Sequence, residues 1–381
     1  MKTETTNRKW QNHIKAKGII PFFLDRLQQH ALANAWQHGK GSFSFEIRDR
    51  EDDELTRMYF EMVEEFPYEF YVELTNKCNL DCTMCARPSM TRPTGVMKMQ
   101  LFRKIIDEIA ENQPFAFIHY YGIGESMVDK AIFTKLAYAV SKGLRNGLLF
   151  TNGQLLLTNE NYKKLAEVGI SNIGVDIDGF RPETYEAIRV GGSFAKAKEG
   201  IERLYQYIRD RNLRTRVEIA YQIVPGVNEG DLPAFVKWCN DNGYEYKLVP
   251  MHNWGGLRDD VGKSKVAGLG DLHHTKRETP CSYLWGNTTI SWDGRMALCF
   301  FDADLRESVG DVNKSTIKQI WQGRHRQKRM AHVQGKFEGI CAGCNCGTNI
   351  RLPQFNSGLY PEHLREAALV QGSPGAISAP E

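Results

Sequence analysis

Between residues 68 and 250 the chain repeats one pattern, a short β-rich run followed by a longer stretch whose apolar residues recur three or four positions apart. The runs YEFYVELT (68–75), FAFIHYY (115–121), GLLFT (147–151), NIGVDI (172–177), RVEIAYQIV (216–224) and YKLVP (246–250) predict strands. Between them, Phe102, Ile105, Ile106 and Ile109, and then Ile132, Phe133, Leu136 and Val140, each line one helical face. Serial β-α units predict a parallel sheet covered by helices, either open and doubly wound or curved into a barrel, with active groups at the C-terminal ends of the strands.

The pattern differs on either side of this region. Residues 1–66 mix apolar and charged positions at helical spacing, which predicts a helical N-terminal extension, with the core spanning 67–251. Residues 252–280 are polar, glycine-rich and aperiodic, and read as a linker or substrate-covering loop. Beyond them, TTISWDGRMALCF predicts a β-hairpin around Asp293-Gly294 and STIKQIWQGRHRQKRMAH a helix, within a unit spanning 281–355. The remainder, 356–381, reads as a disordered tail.

Composition narrows the class. A chain of 381 residues, 41% hydrophobic and 25% charged, is long enough for a sizeable core. A net charge of +3 is too mild to imply a nucleic-acid or membrane-surface partner, and the opening eighteen residues hold no apolar run. A cytoplasmic protein is expected. Nine cysteines, most of them clustered, favour metal binding over disulfides. Cys239 sits on a predicted helix among apolar neighbours and reads as a buried structural thiol.

Cys78, Cys82 and Cys85 follow the first strand in CNLDCTMC. Three thiolates in one loop can converge on a soft metal centre. Structural zinc wants four closed ligands, and no histidine or fourth cysteine lies nearby. A 4Fe-4S cluster held by three cysteines leaves one iron open.

This spacing resembles the radical S-adenosylmethionine (SAM) enzymes, with Met84 where that family commonly has an aromatic residue. The resemblance covers about residues 68–250 and implies a partial (β/α)6 parallel barrel, an α/β fold with SAM chelating the open iron. It also implies a 5'-deoxyadenosyl radical made with electrons from a flavodoxin or ferredoxin. Gly122, Gly124 and Glu125 resemble the motif that binds the SAM amino group, with Ser126 in place of the usual proline. Thr151, Asn152 and Gly153 resemble the TNG turn that ends the third strand. Asp176 and Asp178 resemble polar groups near ribose or substrate, Arg189 an arginine that pairs with the SAM carboxylate, and Asn228, in VPGVNE, part of a loop approaching adenine.

Cys281, Cys299, Cys341 and Cys344, with Cys346 as a substitute for Cys344 or a free thiol, resemble a single-cluster SPASM or twitch domain, so a second 4Fe-4S cluster is implied. Zinc held by the same four thiolates is the alternative there. A closed auxiliary cluster can accept an electron from a substrate radical, which makes the net reaction an oxidation. The single-cluster domain resembles that of aminocyclitol dehydrogenases of this family, which implies dehydrogenation of a polar small molecule such as a sugar, aminocyclitol or nucleoside-linked sugar. Peptide or protein maturation, and redox-neutral epimerisation, dehydration or decarboxylation, are alternative outcomes. A zinc-stabilised binding protein without catalysis is the alternative from another class.

Overall fold

The computed structural model describes residues 63–258, 281 and 283–344. Six strands, β1 (Glu69–Val72), β2 (Phe117–His119), β3 (Gly147–Thr151), β4 (Asn172–Asp176), β5 (Arg216–Ile223) and β6 (Glu245–Pro250), pair in parallel in chain order. Helices α1 (Met99–Asn112), α2 (Ile132–Ser141), α3 (Asn161–Glu167), α4 (Pro182–Ile188), α5 (Phe194–Asp210) and α6 (Leu232–Asn242) fall between them. All six predicted strands are present, and the fold is the α/β parallel sheet of a partial barrel.

Residue spacing accounts for the packing. On α1, Phe102, Ile105, Ile106 and Ile109 are all buried, each contributing roughly 1.5–3 kcal/mol of transfer free energy. On β5 the alternate residues Val217, Ile219, Tyr221 and Ile223 enter the same core. Helix α6 opens with Pro233 in its first turn and stops at Gly243, whose left-handed φ of 63° closes the C-terminus. Cys239 on this helix is fully buried in the core, with its thiol pushed up to about 12 by burial, as a structural thiol would be.

The C-terminal unit departs from the expected arrangement. Strands β7 (Asn287–Ile290), β8 (Arg295–Ala297) and β9 (Ser308–Asp311), preceded by the short α7 (Tyr283–Gly286), do not form a separate sheet. β7 pairs in parallel with β1, so the described strands make one nine-stranded sheet in the order β6-β5-β4-β3-β2-β1-β7-β8-β9. The physical reason is the free edge of β1, whose backbone groups would otherwise face no partner. The hairpin turn falls at Ser291–Gly294, as expected, and β9 is an additional strand.

The expected helix after residue 315 is interrupted. Thr316 and Gln319 form a reciprocal capping box for α8 (Ile317–Ile320), a π turn spans Trp321–His325, and α9 (Arg326–Val333) follows. The break sits at Gly323, with φ −91° and ψ −109°. Of the expected N-terminal extension, residues 63–66 are described, and they join this region: Trp321 Nε1 donates to the Val63 carbonyl at 2.6 Å and Arg326 Nε pairs with Glu64 at 2.6 Å. Most of the 252–280 segment, the 356–381 tail and Cys346 lie outside the described residues.

A buried ion pair ties the two halves together. Arg92 meets the carboxylate of Glu73 through both terminal nitrogens, Nη1 at 2.7 Å and Nη2 at 2.5 Å, with both side chains under 5% exposed. Its Nε donates to Ala303 O at 2.7 Å, while Asp304 accepts from the Thr91 and Arg92 amides. Arg92→Ala strands a buried carboxylate. It is expected to lower the unfolding free energy by about 3–5 kcal/mol, read by denaturant titration. The double variant Glu73→Leu/Arg92→Met should recover most of that loss.

Candidate active site

The loop after β1 carries Cys78, Cys82 and Cys85 and is held from several sides. Asn76 accepts from Gly95 N at 2.8 Å and donates to Pro93 O at 2.9 Å. Asp81 N and Thr83 N donate to Val190 O and Ile188 O at 2.9 Å, fixing the loop to the end of α4. From beyond the barrel, Arg258 Nη1 reaches the carbonyls of Thr83 at 3.0 Å and Cys85 at 2.9 Å. Leu80 N and Arg87 N point at the sulfurs of Cys78 and Cys85 at 3.5 and 3.4 Å, the kind of donor that tunes a cluster's potential. Burial raises all three thiols, Cys82 to about 12, so as bare groups they stay protonated. A metal centre would draw them into the thiolate form.

The residues expected to hold SAM come to the edge of this loop. Glu125 N donates to Lys77 O at 2.9 Å, and a Cβ on Gly124 would lie 2.5 Å from that same carbonyl, so only glycine permits the approach. Gly122 has the same constraint against Glu73, whose Cγ would lie 2.5 Å from an added Cβ. The Glu125 carboxylate is buried, accepts from Met127 N at 2.9 Å and Asn152 N at 2.7 Å, and is pushed up to about 7, chiefly by burial. Thr151 also bonds Glu125, and Asn152 Nδ2 donates to Asn79 Oδ1 at 2.9 Å, tying the end of β3 to the cysteine loop. Gly153 then turns the chain with φ 78°.

Asp176 and Asp178 divide their work. Asp178 is buried, accepts from Arg189 Nε at 2.6 Å and from Gln222 N at 2.7 Å, and its carboxylate also meets Arg189 Nη2. Asp176 stands 3.4 Å from Arg189 and remains partly open to the barrel interior; burial raises its carboxyl, against the pull of Arg189. Arg189 keeps Nη1 without a protein partner among the described residues. Asn228 takes the turn role that its place in VPGVNE also allows. Its side chain donates to Asp178 O at 2.9 Å and Gln222 O at 2.8 Å and accepts from Val224 N at 2.8 Å, so it shapes its own loop and leaves only that loop's backbone to face outward.

The second set also assembles. Cys281, Cys299 and Cys341 are buried and Cys344 partly so. The Cys299 thiol is raised far above its ordinary value by burial, and next by the proximity of Cys344, Cys281 and Cys341. His332 Nδ1 accepts from Cys281 N at 3.3 Å. Among the described residues no three of His, Cys, Asp or Glu are arranged to hold a single metal ion.

The inner face of the sheet was the least visible feature in the sequence. His119 stacks on Tyr71 with ring centroids 4.0 Å apart, Tyr71 stacks on Phe300 at 4.6 Å, and Tyr121 meets Phe150 edge-on at 5.2 Å. His119 also bonds Glu69, and Lys247 pairs with Glu218 at 2.6 Å while lying over the Phe150 ring. The signal was the period-two contrast in β1 and β2, where Glu69, Tyr71, Phe117, His119 and Tyr121 alternate with Phe70, Val72, Ile118 and Tyr120. Trp254 and Phe301, with Phe300, connect this face to Cys299, and His252 is pushed down to about 4 by burial beside Phe301.

Comparison with known proteins agrees with this geometry. The radical SAM superfamily model matches residues 72–239, and the iron-sulfur cluster-binding domain model named SPASM matches residues 281–345. An AdoMet-dependent heme synthase from Methanosarcina barkeri is 35% identical over 71% of this chain and 89% of its own length. A tungsten-containing aldehyde ferredoxin oxidoreductase cofactor-modifying protein from Pyrococcus furiosus is 28% identical over 66% of this chain and 80% of its own. Among solved structures, Streptococcus suis SuiB bound to precursor peptide SuiA aligns with a TM-score of 0.57 at 11% identity, over 81% of this chain and 79% of that one. BtrN in complex with AdoMet and 2-DOIA aligns with a TM-score of 0.50 at 17% identity, over 75% of this chain and 96% of that one. At such identities these two show a shared fold. The domain matches imply an AdoMet-binding 4Fe-4S cluster, an auxiliary iron-sulfur cluster and AdoMet as cofactors. With both matches in this order and a relative so similar over nearly its whole length, the chain belongs to the radical SAM superfamily and carries an SPASM domain after its core.

Proposed function

We propose that this enzyme oxidises a polar small molecule of the sugar, aminocyclitol or nucleoside-sugar type, and that the auxiliary cluster accepts the electron the substrate gives up. The observation that carries this reading is the polar inner face of the sheet, where Glu69 bonds His119 and Glu218 pairs with Lys247. Bound at the first set, the cluster and AdoMet supply one-electron chemistry able to take hydrogen from an unactivated C–H bond. Cys78, Cys82 and Cys85 hold that cluster, and Cys281, Cys299, Cys341 and Cys344 hold the auxiliary one. Glu125 bonds the amino group of AdoMet, Arg189 Nη1 its carboxylate, and Asp176 faces the ribose or substrate. Gly122, Gly124, Thr151 and Asn152 bring the backbone close enough for those contacts. The aromatic wall of Tyr71, Tyr121, Trp254 and Phe300 keeps water from the reacting carbon. A flavodoxin or ferredoxin provides the electron, in the cytoplasm; no helix among the described residues is long and apolar enough to cross a membrane.

A second reading has its own support. The 35% identical relative is named as an AdoMet-dependent heme synthase, which favours a tetrapyrrole substrate.

Anaerobically reconstituted protein should contain about eight irons per chain and, with AdoMet and dithionite, form 5'-deoxyadenosine. Cys78→Ala/Cys82→Ala/Cys85→Ala should abolish 5'-deoxyadenosine and halve the iron. Cys299→Ala should keep 5'-deoxyadenosine formation but lose the oxidised product. Sugar and aminocyclitol candidates deuterated at single carbons, run beside an iron porphyrin carboxylate, separate the two substrate readings by which one passes deuterium to 5'-deoxyadenosine. Colourless protein with zinc in place of iron would refute both.

The raised carboxyl of Glu125 sets a pH dependence. Below about 7 it is protonated in the free protein, so binding the AdoMet amino group must first release that proton. AdoMet affinity should therefore rise about tenfold from pH 6 to pH 8, measured by equilibrium binding. In Glu125→Gln that part of the slope should vanish, with weaker binding at pH 8.

A further inference from the structure

Three buried polar atoms on the inner face have no partner: His119 Nδ1, Asn287 Oδ1 and Thr289 Oγ1. Their residues are 6%, 4% and 6% exposed. A buried polar atom without a partner destabilises the folded protein, so three in one place call for an occupant. Strand register brings them together. Glu69 lies level with Asn287 on one side and Phe117 on the other, and Tyr71 lies level with Thr289 and His119. All therefore share one face of three adjacent strands, β7, β1 and β2.

The chemistry of the patch selects its ligand. Glu69 bonds His119 Nε2, and in the neutral ring that carries its proton on that nitrogen Nδ1 is a bare lone pair. Thr289 and Asn287 can donate or accept. The Tyr71 hydroxyl is bonded to Tyr121, and Lys247, on the same inner face, is paired with Glu218. An incoming carboxylate would meet the charge of Glu69 and the lone pair of His119, whereas a hydroxyl or ammonium group would satisfy both.

We propose that the inner face of β7, β1 and β2 is a recognition subsite for a hydroxyl- or amine-bearing group of the substrate, held by His119 Nδ1, Asn287 and Thr289 with Glu69 fixing the imidazole. This rests on the reading that a polar small molecule enters the barrel, and it adds that the buried end of that molecule donates hydrogen bonds. It also explains why a strand of the C-terminal domain lies beside β1: β7 completes the wall against which the substrate is oriented.

The test uses reconstituted full-length protein with AdoMet and isotope-labelled histidine nitrogens, the His119 signals being assigned with His119→Gln. Free protein should show His119 Nδ1 unprotonated. Glucosamine or myo-inositol should shift that signal and glucuronate should not. Thr289→Val, nearly isosteric, should weaken the response about fivefold, the worth of one hydrogen bond, with circular dichroism and iron content unchanged. The subsite is overturned by a protonated Nδ1, by a shift with glucuronate alone, by silence toward all three probes, or by an unaltered response in Thr289→Val. 5'-Deoxyadenosine formation by the same preparation is scored separately. If it persists while the probes fail, the subsite falls and the radical chemistry stands.

Discussion

Strand β1 is paired along both edges, with β2 on one side and β7 on the other, and everything chemical in the molecule hangs from that double pairing. The strand is short, yet its C-terminal end launches the three-cysteine loop, and its extension, Glu73, meets Arg92 as that loop returns. Because Glu73 N also donates to Ile290 O and Trp292 N approaches the Glu73 carboxylate, the strand end, the loop and the auxiliary hairpin share one anchor. The cost of burying that charge is offset only while all partners stay in place, so the two cysteine sets are positioned relative to one rigid element. A linker would not achieve this.

The interior of the sheet works by a contrast between its two faces. Outward residues such as Phe70, Ile118, Leu149 and Ile219 pack a dry core against the helices. Inward residues are aromatic or ionisable and pair with one another, as His119 does with Glu69 and Lys247 with Glu218. Low-dielectric surroundings make such pairs rigid and leave little water to quench a reactive carbon.

How much of this could be read in advance depended on the range of the forces involved. The strands and the faces of α1 and α2 follow from local periodicity, and the glycines at 122 and 124 were legible through their resemblance to a known motif, the close approach they permit being visible only in the folded chain. The pairing of β7 with β1 joins residues more than two hundred positions apart, and no local pattern carries it. For the same reason Arg92 and Arg258 look like ordinary surface cations in the sequence, although one is buried on Glu73 and the other holds carbonyls of the cysteine loop. Asn228 shows the opposite limit: its place in VPGVNE is compatible with either a cofactor-facing loop or a turn, and only the folded chain shows its side chain bonding Val224 N, Asp178 O and Gln222 O within the turn it closes.

The seating of Val63 and Glu64 against Trp321 and Arg326 has a practical corollary. The segment leading into the barrel is braced by the helical region that follows the last sheet strand. A substitution at Trp321 or Arg326 will therefore loosen the approach to β1 as well as its own helix.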